Sequence, residues 1–555
     1  MQTGLLLLAA LWLVVACQDR RQVAATPSPD SVFVGNFITL DIHRPDAEAI
    51  AVADGRIVAI GSMEEILALA DEQTRRIDIP GVTLPGWVDA HVHISGLGSV
   101  LDQLNVEAMS IEAIRDEVAE AVRTTPPGEW IVGRGWDEGY FREPRDPTAA
   151  DLDAASPGHP VVLAGIGGHS VWVNSAALER AGVTAETQDP EGGRIVRDSD
   201  GRPTGLLLEQ AEALVRAVMP DTHTPATREQ HIRTALAQYA RWGLTGVHDA
   251  GSSLDEIAVY KKLLESGELP LRIYAMAAGD EAVSHYLASA PEPDLGDGRL
   301  SIRSFKIFVD GALGARGAEL SAPYSDAPDT SGLSQMSDAE LDAFIHPARA
   351  KGFQVNAHVI GDRAVERALD AFERAGVTAE ERFRLEHASI ISPPNLLRFA
   401  ELGVVASMQP VFIGEYSRWG EARVGAERAP WVMPLRELVD TGAVLPSGTD
   451  YPASDSGDPR ATLSALVTRQ GFDGKPEGGW FAGQAVDVET ALRSMSAGPA
   501  YAAFQEQDLG ALTVGRYADF TALAEDPRSV PPDALRSIEV LMTVVGGEVV
   551  AIEGQ

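Results

Sequence analysis

Two imidazoles one residue apart close an apolar run. His91 and His93 end the segment Val82 to His93, whose other members are mostly apolar. Side chains at i and i+2 of a strand share a face. Two neutral imidazoles held at a strand end can grip one metal ion. Further side chains of the same chemistry recur along the chain: His358, His387 and Asp450 end apolar runs, and Lys306 lies inside one. Each has an ordinary reading when taken singly. A solitary His is more often a hydrogen-bonded core residue, an interior Lys usually snorkels to the surface, and an Asp after Gly-Thr can cap a helix. Their shared placement at the ends of successive runs points instead to a metal centre. The single cysteine, Cys17, excludes an intrachain disulfide and a Cys-based zinc site.

Eight short runs carry or accompany these residues. They are the strand ending at His91 and the segments 246–250, 271–276, 304–309, 353–358, 383–387, 404–408 and 444–450. Helical patterns over 228–242, 338–351 and 363–375 fall between them. Such alternation predicts an α/β fold, a parallel (β/α)8 barrel of the TIM type. Five of the six candidate ligands then lie at the C-terminal strand ends, where barrel enzymes carry their chemistry. Residues 98–227 do not fit the count and are expected as a long insertion after the first strand, capping the barrel mouth. The ends of the chain read as short strands, with hairpin turns at Asp54-Gly55 and Gly546-Gly547. Residues 31–83 with 505–555 are expected to form one small composite β-sandwich, leaving 84–504 as the barrel.

With 81 acidic and 45 basic residues, the net charge of −36 argues against a nucleic-acid partner, since phosphate would be repelled. Leu5 to Cys17 is apolar but shorter than the roughly 20 residues a membrane-spanning helix needs. It fits the hydrophobic region of a signal peptide. Val14 to Cys17 resembles a bacterial lipobox, which implies removal of residues 1–16, lipidation of Cys17 and a flexible tether over 17–30. The expected location is outside the cytoplasm, on a bacterial membrane held by that lipid alone.

The motifs at 84–93, 131–138, 169–178, 305–316, 356–364, 384–388 and 447–452 together resemble the amidohydrolase superfamily, and within it the third family, which includes N-substituted formamide deformylases. That resemblance implies a divalent-metal site, usually zinc. It also implies a carbamate on Lys306, because an ammonium has no lone pair for a metal. One ion is assigned to His91, His93 and Asp450 and a second to His358 and His387, with the carbamate and a hydroxide between them. Asp450 is the expected proton carrier. Trp136, His169, Asp310 and Arg316 are candidate contacts to a small-molecule substrate, and Glu386 is expected to orient a ligand. Each of Trp136, Asp310, Arg316 and Glu386 also has a purely structural reading, as core packing, a loop ion pair or a strand-face carboxylate. His248 and Asp249 end the second strand and are candidates for the mouth lining. Ala312 and Ala315 stand where relatives often have Ser.

The activity expected is hydrolysis of a non-peptide carbon–nitrogen bond, with the same scaffold acting on esters, lactones or phosphoesters as the alternative. A solute-binding lipoprotein would call for two doubly wound lobes and no converging histidines. Assembly of several copies is compatible with the sequence.

Overall fold

The computed structural model describes residues 28–107, 109–137, 141–142, 145–165, 170–190, 192–220 and 224–552. The leader, the lipobox with Cys17 and most of the tether lie outside these residues, as does His169. No helix among the described residues is long and apolar enough to cross a membrane.

The centre of the molecule is a parallel sheet of seven strands in sequence order: β1 (Trp87–Val92), β2 (Leu244–Ser252), β3 (Arg272–Ala277), β4 (Leu300–Phe308), β5 (Gln354–Val359), β6 (Arg384–His387) and β7 (Val405–Ser407). Each run expected as a strand is found here except the last. Segment 444–450 makes a single bridge, Met408 to Ser447, rather than a ladder. It nevertheless closes the ring. On one side Ala406 N and Met408 N donate to Val444 O and Pro446 O; on the other Ala90 N donates to Ser447 O and Asp450 N to His91 O. Pro446 has no N–H to offer, so a regular ladder cannot form there.

Helices pack outside the strands. Their ends follow local chemistry: Asp338–Ala350 starts from a Ser337/Glu340 capping box, and Asp362–Ala375 stops at Gly376 with φ +68°. Inward strand positions carry unusually many polar groups, including His248, Ser304, Asn356, Arg384 and Glu386, all buried.

The chain ends combine as expected. Strands 548–552, 540–545, 520–523, 75–85, 31–38, 46–53 and 56–61 form one hydrogen-bonded path in that order. This sheet curls until its 56–61 edge meets the segment leading into 520–523: Ile57 N donates to Arg516 O, and Ala518 N to Gly55 O. Phe33, Phe37 and Phe520 fill the enclosed core, with Phe33 and Phe520 edge-to-face at 5.2 Å. The sandwich is thus a single sheet folded over itself.

The insertion is a fold of its own. Strands 193–197, 203–209, 170–173, 161–165, 131–136 and 104–105 make a separate mixed sheet with an apolar cluster on each face. The helix Ile94–Leu101 leaves the barrel and packs on Pro225–Arg241, which returns to it; a Cβ on Gly98 would come within 2.0 Å of His231 O.

The composite sheet seals the N-terminal end of the barrel. Arg272, at the start of β3, makes a two-pronged bond to Asp519 (2.7 and 2.9 Å), with both side chains buried. Thr521 Oγ1 accepts from Trp87 N and donates to Gly243 O. Removing one partner of a buried pair strands the other charge. Replacing Asp519 by Ala is expected to lower unfolding free energy in urea by about 3–5 kcal/mol, with the R272M/D519L double variant regaining most of the loss.

Candidate metal centre

The six candidate ligands meet at the C-terminal end of the barrel. His91 on β1 is the hub. Its Nδ1–H donates to Glu386 Oε2 at 2.6 Å, and its Nε2 faces Lys306 Nζ at 3.1 Å and Asp450 Oδ1 at 3.3 Å. His93 Nε2 lies 3.0 Å from the same Asp450 oxygen. One ligand atom each from His91, His93 and Asp450 falls within 4.8 Å of the others. The His387 ring, from the end of β6, stands 4.7 Å from that of His91 and 4.5 Å from that of His358 on β5.

Two of these residues hold backbone that L side chains rarely adopt. His387 has φ +71° and Asp450 has φ +61°. Such conformations persist only where the surroundings enforce them, and they cluster at functional sites. Gln409 Oε1 accepts from His387 Nδ1 at 2.8 Å, and Asp450 N is tied to His91 O.

The electrostatics suit a cation. Burial, with the neighbouring Lys306, takes His358 down to about 3, and burial with His358 holds His387 well below the usual imidazole range. Both are therefore neutral, with lone pairs available, at ordinary pH. His358 Nε2 is buried and has no hydrogen-bond partner. Burial also lowers the Lys306 ammonium, against the pull of Glu386 and Asp450. At His91, burial and Lys306 act downward, yet Glu386 and Asp450 prevail and raise its pKa. At Asp450 burial acts upward, but His91 and His93 hold the carboxyl well below its usual range. The pocket thus favours positive charge between its donors. Three imidazole nitrogens with a carboxylate, plus an orphaned buried imidazole, fit divalent metals of the zinc type.

Glu386 is fully buried and accepts from His91 Nδ1. Three other candidates have partners within the fold. Trp136 is a core residue of the insertion, packed against Trp172 and Phe141, its indole N–H donating to Leu163 O at 2.9 Å. Arg316 pairs with Asp326 at 2.9 and 3.0 Å on the loop after β4. Asp310 is wholly buried and accepts backbone N–H groups from Glu319, Ile360 and Gly361 at 2.8–2.9 Å, with Oδ1 3.8 Å from His358 Nε2. It joins the loops after β4 and β5 beside His358. Burial pushes its carboxyl up to about 7 despite those three donors.

His248 does not line the mouth. It lies in the bore, its Nδ1 accepting from Arg384 at 3.0 Å. Asp249 accepts from Ile94 N and from the hydroxyls of Ser252 and Tyr260. Two positioning residues escaped the sequence reading. Asp89 accepts from His91 N, Thr449 N and Thr449 Oγ1; its place two residues before His91, on the same strand face, was the available signal. Gln409, just past β7, had only its polarity to mark it.

A family model described as the amidohydrolase family matches residues 81–551. The Bacillus subtilis protein YtcJ is 32% identical over 533 residues, covering 94% of this chain and 99% of that protein. An N-substituted formamide deformylase of Arthrobacter pascens is 28% identical over 533 residues, covering 92% and 96% of the two chains. Among solved structures, a metal-dependent hydrolase from Pyrococcus furiosus matches with a TM-score of 0.73 and 28% identity, over 90% of this chain and 100% of that one.

Leaving a buried donor without an acceptor costs about 1–3 kcal/mol. Replacing Asp310 by Ala strands three N–H groups and is expected to cost more than about 3 kcal/mol in urea unfolding. D310N, which keeps one carbonyl acceptor, should fall between that variant and the parent.

Proposed function

This chain belongs to the amidohydrolase family, and we propose that it hydrolyses carbon–nitrogen bonds outside peptides, in small amide-like substrates such as N-formyl or N-acyl amines. One observation carries the reading: four imidazoles, a lysine and an aspartate from five separate chain segments meet at one end of the barrel. The deformylase among its relatives favours carbon–nitrogen over ester chemistry.

His91, His93 and Asp450 would hold one divalent ion and His358 and His387 a second, with Lys306, as a carbamate, between them. Such ions would supply Lewis acidity, polarising a carbonyl and lowering the pKa of water to about 7. The protein's own groups do the rest. Glu386 takes the Nδ1–H of His91 and leaves the Nε2 lone pair facing the site. Gln409 fixes the His387 ring in the same way. Asp450 lies at the centre of the cluster, with Oδ1 within 3.3 Å of two imidazole nitrogens. It takes the proton of the attacking water on that carboxylate and passes it to the departing nitrogen. The leader and Cys17 fit an exported, lipid-anchored enzyme, a reading that mass analysis of the mature N-terminus would test.

D450N is expected to keep most of its metal yet lose about 10²–10⁴-fold in turnover; near-parental turnover would remove Asp450 from the proton path. K306A should lose metal, as read by elemental analysis of the purified protein, and full occupancy would remove the bridge. Hydrolysis screened across N-formyl amines, N-acyl amines, cyclic amides, lactones and aryl esters is expected to favour the nitrogen-linked substrates. Faster turnover of the oxygen esters would reassign the reaction.

A further inference from the structure

Bores of barrels like this are normally filled by branched apolar side chains. Here the layer beneath the metal centre holds a guanidinium. Arg384 and Glu386 alternate along β6, so both point into the barrel, and both are wholly buried. Arg384 Nη1 donates to His248 Nδ1 at 3.0 Å and Nη2 to Ala502 O at 2.8 Å. Its guanidinium carbon sits 5.0 Å from the centre of the Tyr274 ring. None of these partners carries a negative charge: burial and the adjacent Arg384 keep His248 neutral. The opposing carboxylate is Glu386, whose Oε1 lies 3.9 Å from Nη1. That oxygen has no hydrogen-bond partner, while Oε2 holds His91.

We propose that Arg384 is a positioning residue for the metal centre: its fixed charge holds the Glu386 carboxylate where it orients His91, and so raises the affinity of that site for a divalent cation. The inference rests on the metal-site reading above. A carboxylate buried without a counter-charge is expensive. Among the described residues, Arg384 is the only Lys or Arg with a nitrogen within 4.0 Å of Glu386. Lys306 offers no substitute, since a carbamate would turn it from cation to anion. A purely structural role for Arg384 would run through His248 Nδ1 and Ala502 O, and would show in the thermal midpoint of the metal-free form. That carbonyl also accepts from Gln354 Nε2 at 2.9 Å, so it keeps a donor when Arg384 is gone.

The test uses the full protein, stripped of metal and titrated with Zn²⁺ against a competing chelator, with the thermal midpoint of each metal-free form recorded alongside. Residues that orient metal ligands typically contribute 10–100-fold in affinity. R384M is expected to bind Zn²⁺ about 10-fold more weakly or worse, and R384K, which keeps the charge, to lie nearer the parent. In the E386Q background R384M should make no further difference. Parental Zn²⁺ affinity in folded R384M overturns the proposal, as does a further loss in R384M/E386Q relative to E386Q. If R384M alone does not fold, the E386Q and R384M/E386Q pair decides, because removing both members of a buried ion pair is tolerated better than removing one. A parent protein that takes up no Zn²⁺ defeats the metal-site reading itself. A parent that binds with R384M unchanged defeats only this inference.

Discussion

Closure of the barrel at residues 444–450 is the constraint on which the site depends. Asp450 belongs to the one segment of the ring that lacks a ladder, yet it must meet imidazoles carried by β1, β5 and β6. Side-chain bonds do the work that a ladder does elsewhere. Asp89 accepts the N–H and the hydroxyl of Thr449 across the seam, besides the His91 N–H of its own strand, and Asp450 N donates to His91 O at 2.7 Å. Burial raises the Asp89 carboxyl to about 6 even so. The seam is also tight: a Cβ on Gly448 would stand 2.6 Å from His91 N and 2.7 Å from Asp89 Oδ1. Only glycine allows the two backbones to approach this closely.

The opposite end of the barrel is held just as firmly by chain termini that are distant in sequence. Asp519 binds Arg272, and the Tyr517 ring lies between the guanidinium groups of Arg56 and Arg272, 3.8 Å from each. Arg56 comes from the N-terminal hairpin and Tyr517 from the C-terminal segment, so both ends of the chain meet on β3. The composite sheet is therefore more than an appendage, since it fixes the starts of strands whose other ends carry the candidate ligands. Between floor and mouth the bore is polar, and its buried charges line up from Arg384 through Glu386 to His91.

Strand ends were legible in the sequence because apolar runs and a two-residue alternation survive without knowledge of the partners. That is why His91, His93, His358, His387, Lys306 and Asp450 could be placed together, and why Glu386, next to a strand-end His, could be suspected. What the eighth run would do was less legible, because its ladder fails for a local reason, Pro446, while its closure depends on Asp89 more than three hundred residues away. The partners of Asp310, Arg316 and Trp136 were hidden for a different reason. Asp310 and Arg316 sit on a loop, and their roles are set by whichever N–H groups or carboxylates the fold brings near: Ile360 and Gly361 in one case, Asp326 in the other. Trp136 belongs to an inserted sheet whose inner faces cannot be told from a pocket wall until the sheet is assembled.

The candidate ligands are held by residues that would touch no ion themselves. Glu386 fixes His91, Gln409 fixes His387, and Asp310 braces the loops beside His358, while His387 and Asp450 sit in left-handed backbone. Strain of that kind is kept only if other contacts outweigh it. His358 Nε2 is also buried with no donor to satisfy it, which costs free energy. A folded chain with no further use for this arrangement would relax it by turning His387 or Asp450 into ordinary backbone. The framework instead spends buried carboxylates, an amide and a guanidinium on keeping the donors aimed inward, which is the organisation expected when a cation completes the structure.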